Sequence, residues 1–387
     1  MKVLMQIRKD AFAKFGGDTF QMLKYQEYLR RLSVKVEISR ELRPSLDGAD
    51  IVHLFNLDRP LETYVQLRNA RVRGRPSVLS SIHRPMAHVR AWEGRRDGIE
   101  GFVRRFFPSR ETFETAKDFV RAVRGRAYLG AWWMEMRTGL LRQQREIVAG
   151  VDAVCLLADG ERAAIEEDTG ATPARCRVIP NGCETDASSS ALSDETLARL
   201  GGVRDFVLAA GRIESGKNPL GVVEALKDVP LPVVFAGGVN RWHRAYAKRF
   251  ISAVEAAPNM RYIGRVPSGE MPALYALAKV HVLASWFEAV PLVDLEAARR
   301  GCNVVTTLRS YAPSYAADFA RFCDPSDPAD IREAVLAAYE SPRNSSVPRR
   351  IRERFSWEKA AESLRELYRE VLAQKRSRRT RPETRRR

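Results

Sequence analysis

The chain has 387 residues, of which 45% are hydrophobic and 29% charged, and its formal net charge is +17. That length is long for one core and comfortable for two domains, and the composition is that of a globular protein rather than a disordered or fibrous one. No run of about 18 apolar residues occurs, so no segment reads as membrane-spanning. The opening Lys2-Val-Leu-Met-Gln-Ile7 is too short, and too soon followed by charge, for a signal peptide.

The five cysteines (155, 176, 183, 302, 323) contain no CxxC. An odd, scattered set argues against a disulfide framework and for a reducing compartment. The basicity is local. Lys375 to Arg387 carries eight positive charges and one negative, and Arg84 to Gly150 carries fourteen and eight. Those two segments hold +7 and +6 of the +17, which leaves +4 for the rest. A locally basic surface calls for a local explanation.

In chain order, Lys2 to Ile7 reads as a strand. Phe15-Gly16-Gly17-Asp18-Thr19 then leads into helical spacing from Phe20 to Leu32. Paired glycines before a helix let backbone approach a ligand closely, although a plain βα turn reads the same way. No GxGxxG follows the strand, so a nicotinamide fingerprint is not supported. Val34–Ile38 and Asp50–Phe55 are strands, Leu61–Arg71 a helix, and Ser77–Ile82 a strand ending at His83. Ala153–Leu157, Glu161–Glu167 and Cys176–Ile179 continue the alternation, which gives a parallel sheet covered on both faces.

Between Glu184 and Gly202 the chain turns small and polar around Ser188-Ser-Ser190, the best candidate linker. A second alternating set follows, with strands at Asp205–Ala210, Pro232–Ala236, Met260–Ile263, Val280–Ala284 and Asn303–Thr306. Ser356 suits the cap of a last helix with one apolar stripe from Ala360 to Leu372. The tail beyond Gln374 is expected to be disordered.

Three loops could carry chemistry. Gly211-Arg212-Ile-Glu-Ser-Gly216-Lys217-Asn218-Pro219 ends a strand and opens a helix, so its two cations can converge on a diphosphate. A solvated basic loop reads the same residues, and Asn218 stands where a Walker A loop needs Ser or Thr. Glu288-Ala-Val-Pro291-Leu-Val-Asp-Leu-Glu296 joins a strand to a helix. Pro291 fits the first helical position and Gly301 the position past its end. A helix start carries partial positive charge and free N–H groups that suit a phosphate, and two carboxylates can bind sugar hydroxyls. Two surface glutamates on an ordinary βα unit remain the alternative. The third is Tyr262-Ile-Gly264-Arg265-Val266-Pro267, running into Glu270-Met271.

Taken in order, GR…KN, FAGG, YIGRV, E-M-x-x-L-Y and E-x7-E resemble the family-4 retaining glycosyltransferases of the GT-B fold. The likeness is strong from Val207 to Thr307. It is looser in the first half, through Phe15-Gly-Gly17, DIVHLF, SSIH83 and VIPNG182. It implies an α/β protein with two Rossmann-like domains, their parallel sheets facing a central cleft, and a C-terminal helix crossing back to the first domain. The expected boundaries are 1–185 for the acceptor domain, with a basic and aromatic insertion at about 84–150, and 186–203 for the linker. The donor domain is expected at 204–355, the crossover helix at 356–374 and the disordered basic tail at 375–387.

By the same resemblance, a nucleotide-diphosphate sugar is the donor. Arg212 and Lys217 match residues that bind its diphosphate, Glu288 one that contacts its sugar, and Glu296 one that binds its ribose. Gly16, Gly17, Gly211, Ala289, Val290, Leu292 and Val293 match donor-side loops, Arg265 and Val266 lie near the base, and His83 matches a histidine near the reacting sugar. Pro291 departs from the glycine of many relatives and removes one N–H, leaving Leu292 and Val293 as donors. There is no D-x-D, and His53, His88, His243 and His281 lack ligand spacing, so no metal or other cofactor is expected. The implied reaction is transfer with retention to a saccharide or lipid-linked acceptor, in the synthesis of a cell-surface polysaccharide or glycolipid.

From Arg84 to Ala149, Phe102, Phe106, Phe107, Phe119, Trp132 and Trp133 interleave with Arg104, Arg105, Arg121, Arg124, Arg126 and Arg137. That mixture suits an anionic membrane surface, as does the basic tail, and helices packing their aromatics inward suit it equally. A cytoplasmic protein, peripheral at the inner face of a membrane, is the expectation. Two rivals stand beside it: a nucleotide-sugar epimerase of the same fold, and a basic protein that binds nucleic acid or membrane without catalysis. Neither nucleic-acid binding nor membrane binding would explain the second-half motifs, and nucleic acid is not an expected partner.

Overall fold

A computed structural model describes residues 1–93, 112–113, 115–116, 119, 126–183, 191–240 and 243–380. They fall into two compact units. Unit 1 takes residues 1–83, the described part of 107–182, and the chain from Trp357 onward; unit 2 takes 84–93 and 183–356.

The chain runs β1 (Lys2–Gln6), α1 (Gly17–Arg31), β2 (Lys35–Ser39), β3 (Ile51–Phe55), α2 (Pro60–Val72) and β4 (Ser77–Ser80). Next come α3 (Met86–Glu93), α4 (Arg126–Thr138), α5 (Leu140–Gly150), β5 (Ala153–Leu156), α6 (Asp159–Thr169) and β6 (Cys176–Val178). Unit 2 continues with α7 (Asp194–Leu200), β7 (Val207–Ala210), a 3-10 turn (Ser215–Lys217), α8 (Pro219–Leu226), β8 (Val233–Ala236), α9 (Arg244–Glu255) and β9 (Met260–Tyr262). It ends with α10 (Met271–Leu277), β10 (Val280–Leu283), α11 (Leu292–Arg299), β11 (Asn303–Thr307), α12 (Ala312–Tyr315), β12 (Ala320–Cys323), α13 (Pro328–Glu340) and α14 (Val347–Arg354); α15 (Trp357–Thr380) closes the chain.

Each unit has one parallel six-stranded sheet, in the order β2-β1-β3-β4-β5-β6 in unit 1 and β12-β11-β10-β7-β8-β9 in unit 2. Burial explains which strands read as continuous apolar runs. Every residue of β3, β4, β5, β8 and β10 is buried, because helices cover both faces, whereas the edge strands β6, β9 and β12 are only partly so. In an open parallel sheet the strand order reverses once, and ligands bind outside the carboxyl ends of the strands at that point. The reversal falls between β1 and β3 in unit 1 and between β7 and β10 in unit 2.

The apolar stripe of α15 is a core element of unit 1. Leu364, Leu367 and Tyr368 have no exposure, Trp357 meets the ring of Tyr25 at 5.9 Å, and Tyr368 Oη lies 2.5 Å from Nδ1 of buried His53. The helix continues past Gln374 to Thr380, since Lys and Arg sustain a helix well and charge alone does not end one. Residues 381–387 of the expected disordered tail lie outside the described residues. The stretch expected as a linker also holds structure. Ser193 caps α7 by accepting from Thr196 N, and Glu270 accepts from Thr196 Oγ1 at 2.6 Å. Residues 184–190 lie outside the described residues.

Beyond the carboxyl ends of β7, β8 and β9, glycines let the chains touch. Gly237 N–H donates to Gly264 O at 2.8 Å, Gly211 N–H to Ala236 O at 2.9 Å, and Tyr262 Oη to Gly237 O at 2.8 Å. A Cβ on Gly237 would lie 1.7 Å from Gly211 O, whereas one on Gly238 would meet nothing nearer than 3.9 Å. Gly237→Ala should therefore cost at least about 2 kcal/mol in urea unfolding and Gly238→Ala less than about 1. Equal costs would show that the backbone contact is not what this glycine serves.

Candidate active site

The two loops that leave β7 and β10 at the reversal in unit 2 meet. Gly211 follows β7, Arg212 comes next, and the 3-10 turn ends at Lys217, two residues before α8. Asn218, at φ 55°, makes the left-handed link, and its side chain donates to Pro325 O at 2.9 Å. From β10, Trp286 N–H donates to Gly216 O at 3.0 Å, which lays the second loop across the first. Lys217 Nζ then donates to Glu288 Oε1, joining residues 71 apart in the chain. Both side chains are part-buried, at 25% and 14% exposure.

Arg212, five residues before Lys217, is more open, at 60% exposure, and pairs with Glu214 at 3.0 Å. Glu214 also accepts from Asn240 Nδ2 at 2.6 Å. Each cation thus has a carboxylate partner, so a bound anion would share Lys217 with Glu288 rather than find it bare. The Glu288 backbone is itself held, its N–H donating to Arg309 O at 3.0 Å, and Tyr311 N–H donates to Ala289 O at 3.2 Å. Ala289 and Val290 are buried, so they offer backbone rather than side chain to a ligand.

Helix α11 begins at Leu292, with Pro291 at the capping position, one residue earlier than expected from its preference for the first turn. Pro291 is extended there (ψ 115°), and the first-turn N–H groups of Leu292 and Val293 have no carbonyl within the helix to reach. Glu296, half-buried one turn on, accepts from Tyr275 Oη at 3.4 Å. Arg265 is exposed after β9, its side chain passing Gly238, and Val266 is half-buried.

Unit 1 presents its own loop at its own reversal. Gly16 precedes α1 and Gly17 is its first residue. Arg8, which follows β1, donates through Nε to Asp18 Oδ2 at 2.7 Å, through Nη2 to Asp18 Oδ1 at 3.0 Å, and to Lys14 O at 2.7 Å. Burial disfavours the Asp18 carboxylate, but Arg8 overcomes that and holds its pKa below the ordinary value. A Cβ on Gly16 would press on Asp18 Oδ1 at 3.1 Å, while one on Gly17 would meet nothing within 4 Å. The long lead-in from Ile7 to Gly16 is thus a clamped loop.

Sequence patterns missed three features of unit 2. Phe287 sits under the Arg84 guanidinium at 4.9 Å and edge-on to Trp92 at 5.2 Å, so the start of the expected insertion braces the Glu288 loop. Arg309 stacks over Trp286 at 5.5 Å. Beneath the loop, buried His281 and Asp294 approach at 3.2 Å; desolvation raises the Asp294 carboxyl, with His281 opposing it. No local spacing announces these partners. Among the described residues no group of three His, Cys, Asp or Glu is placed to hold a metal ion.

His83 is enclosed within unit 1. It has no exposure, and its ring lies between Asp58 Oδ1 at 2.6 Å from Nδ1 and Asp168 Oδ2 at 2.9 Å from Nε2. Its N–H and Ser81 Oγ both donate to Glu161, a carboxylate buried at the third position of α6. With both ring nitrogens taken by residues 25 and 85 positions away, the buried imidazole ties distant segments of unit 1 together. Burial works against its charge, but the two carboxylates prevail and raise its pKa from 6.5 to about 9. The folded state therefore favours the charged ring. That stabilisation, at most about 3 kcal/mol, is complete below pH 6.5 and lost as pH rises through about 9. Urea unfolding between pH 6 and pH 10 should show this loss in the native chain and not in His83→Gln; parallel curves would refute it.

The profile of the family described as glycosyl transferases group 1 matches residues 200–376. An O-antigen chain mannosyltransferase B of Escherichia coli is 28% identical over 163 residues, which is 40% of this chain and 42% of that protein. A D-inositol 3-phosphate glycosyltransferase of Corynebacterium jeikeium is 26% identical over 256 residues, 59% of each. The chain thus spans about half the length of the curated relatives it matches. Among solved structures, sucrose-phosphate synthase of Thermosynechococcus elongatus superposes with TM-score 0.71 at 15% identity, over 97% of this chain and 100% of that one. Anabaena HepE in complex with UDP superposes with TM-score 0.68 at 15% identity, over 96% and 100%. The chain therefore has the GT-B fold, and its residues 200–376 are similar to the glycosyl transferases group 1 family.

Proposed function

We propose that this protein is a retaining, metal-independent glycosyltransferase that moves a hexose-type sugar from a nucleotide-diphosphate donor to a saccharide or lipid-linked saccharide. The setting proposed is the synthesis of a cell-surface polysaccharide or glycolipid, at the cytoplasmic side of a membrane. The observation that carries this is the meeting of Lys217 with Glu288, beside the start of α11, at the strand-order reversal of unit 2. Support comes from the HepE structures, which by description hold UDP or UDP-glucose, and from the sugar-transferring relatives.

In this mechanism the departing diphosphate is met by Lys217, by Arg212 and by the N–H groups of Leu292 and Val293. Fixed charge and backbone dipoles placed where negative charge develops stabilise the transition state without reorganising. Glu288 contacts the donor sugar and, paired with Lys217, carries that cation's position to the reacting centre. Glu296 binds the ribose, Arg265 and Val266 flank the base, and Gly16 and Gly17 line the loop that unit 1 offers. The acceptor hydroxyl attacks from the face the leaving group vacates, and a phosphate oxygen takes its proton. His83 positions its loop.

Thermal stabilisation by a panel of nucleotide sugars identifies the donor, and turnover with that donor tests the site. Lys217→Ala should lower kcat/KM about 10²-fold and Arg212→Ala less, because its side chain is mostly in solvent. Near-normal rates in both variants would sink the assignment.

A further inference from the structure

Unit 1 holds a cavity that takes no part in the steps proposed above. It measures about 860 Å³ and lies where the chain leaves the carboxyl ends of β1 and β2, with α2 and α4 as its other walls. Lys9, Arg40, Arg43 and Tyr128 line it, together with buried Leu42 and Val65. Cavities of about 300–1,000 Å³ hold small molecules, and one or two sugar rings fit that range. Its walls are anchored. Glu41 O accepts from Gln6 Nε2 and from Gln66 Nε2, each at 3.4 Å, and Glu41 N–H donates to Ser39 Oγ at 3.2 Å. Both glutamines are buried, so the segment from Ile38 to Arg43 is tied to β1 and α2. Tyr128 Oη donates to Glu62 Oε1 at 3.0 Å, and the same oxygen accepts from Lys9 N–H at 2.9 Å.

Charge in the cavity selects the ligand. The Lys9 ammonium lies over the Tyr128 ring at 5.0 Å, and the Arg40 guanidinium over Phe12 at 5.3 Å. An aromatic face orients a cation without neutralising it. Among the described residues, neither these two nor Arg43 pairs with a carboxylate. The acids close by are engaged elsewhere, Asp10 by Arg8, Lys14 and Arg59, and Glu62 by Tyr128. Glu41, exposed, is the one carboxylate among the described lining residues, against three cations. This is the reverse of unit 2, where Lys217 and Arg212 each have a carboxylate partner. A neutral saccharide would leave the three cations unmatched, and a nucleic-acid strand needs a stripe of cations rather than one cavity. A sugar bearing a phosphate or carboxylate meets both needs, its anion on the cations and its ring carbons on Leu42 and Val65.

We propose that this cavity binds a phosphate- or carboxylate-bearing saccharide, with its anionic group held by Lys9, Arg40 and Arg43. As the seat of the acceptor it rests on the glycosyltransferase reading, yet binding is measured without donor or turnover, so either can fail alone.

The test is titration calorimetry of the full-length protein with a panel of hexose 1-phosphates, hexose 6-phosphates and uronic acids, beside the matching neutral hexoses and inorganic phosphate. At least one anionic sugar should bind about tenfold or more tightly than its neutral counterpart and than phosphate, and its binding should weaken with salt. Arg40→Gln combined with Arg43→Gln should weaken that binding at least about tenfold with an unchanged melting temperature, since both side chains are exposed. Glu41→Gln should strengthen it, a gain that misfolding does not produce. Lys217→Ala should bind the same sugar as the native chain does, which separates this cavity from the site in unit 2. The proposal is overturned if no anionic sugar binds, if neutral hexoses or inorganic phosphate bind as tightly, or if Lys217→Ala loses the binding while the double glutamine variant keeps it.

Discussion

The reversal of strand order between β7 and β10 is the constraint on which the site in unit 2 depends. Strands on either side of it send their following helices to opposite faces, so the two outgoing loops have nothing between them. They close on each other through the Trp286–Gly216 backbone bond, and that contact brings Lys217 to Glu288. In the function proposed above, this cation and carboxylate, joined at the mouth of a parallel sheet with a helix start beside them, receive an anion attached to a polyol. The same topological feature in unit 1 produces the Arg8–Asp18 clamp under Gly16.

Neither cation of the site stands unpaired, and this has a chemical consequence. A bare lysine would bind any phosphate. In the function proposed above, lysine already bonded to Glu288 would exchange part of that bond for the donor's phosphate, so that the anion and the group touching Glu288 are recognised together. Arg212 and Glu214 repeat the pattern at greater exposure, where water screens the pair and its contribution is smaller. The braces around the loop serve the same geometry: Phe287 between Arg84 and Trp92, and Trp286 beneath Arg309.

Much of the α/β alternation was legible because the central strands are buried on both faces. Their composition is then dictated by hydrophobicity alone, as in Ile51–Phe55 and Val280–Leu283. The GR…KN and E-x7-E motifs that hold Gly211, Arg212, Lys217, Glu288 and Glu296 were also visible, and the structure adds that Lys217 meets Glu288. The polar stretch before Gly202 was harder. Small polar residues serve linkers and helix caps alike, and Ser193 proved to be a cap. Pro291 shows the same limit at one-residue scale, because its φ suits a capping position as well as the first turn.

Tertiary structure alone decided the partners. His83 is bound by Asp58 and Asp168, Phe287 by Arg84 and Trp92, and His53 by Tyr368 of the last helix. Residues so far apart meet only through the packing of whole elements, and no period along the chain encodes such a meeting. Local order, strand or helix, and the motifs at strand ends follow from the sequence by itself, because they depend on neighbours within a turn or a few residues. Which charges are neutralised, which apolar side chains stay in water and which histidine is a tie depend on the fold, because burial and charge pairing are properties of three-dimensional surroundings.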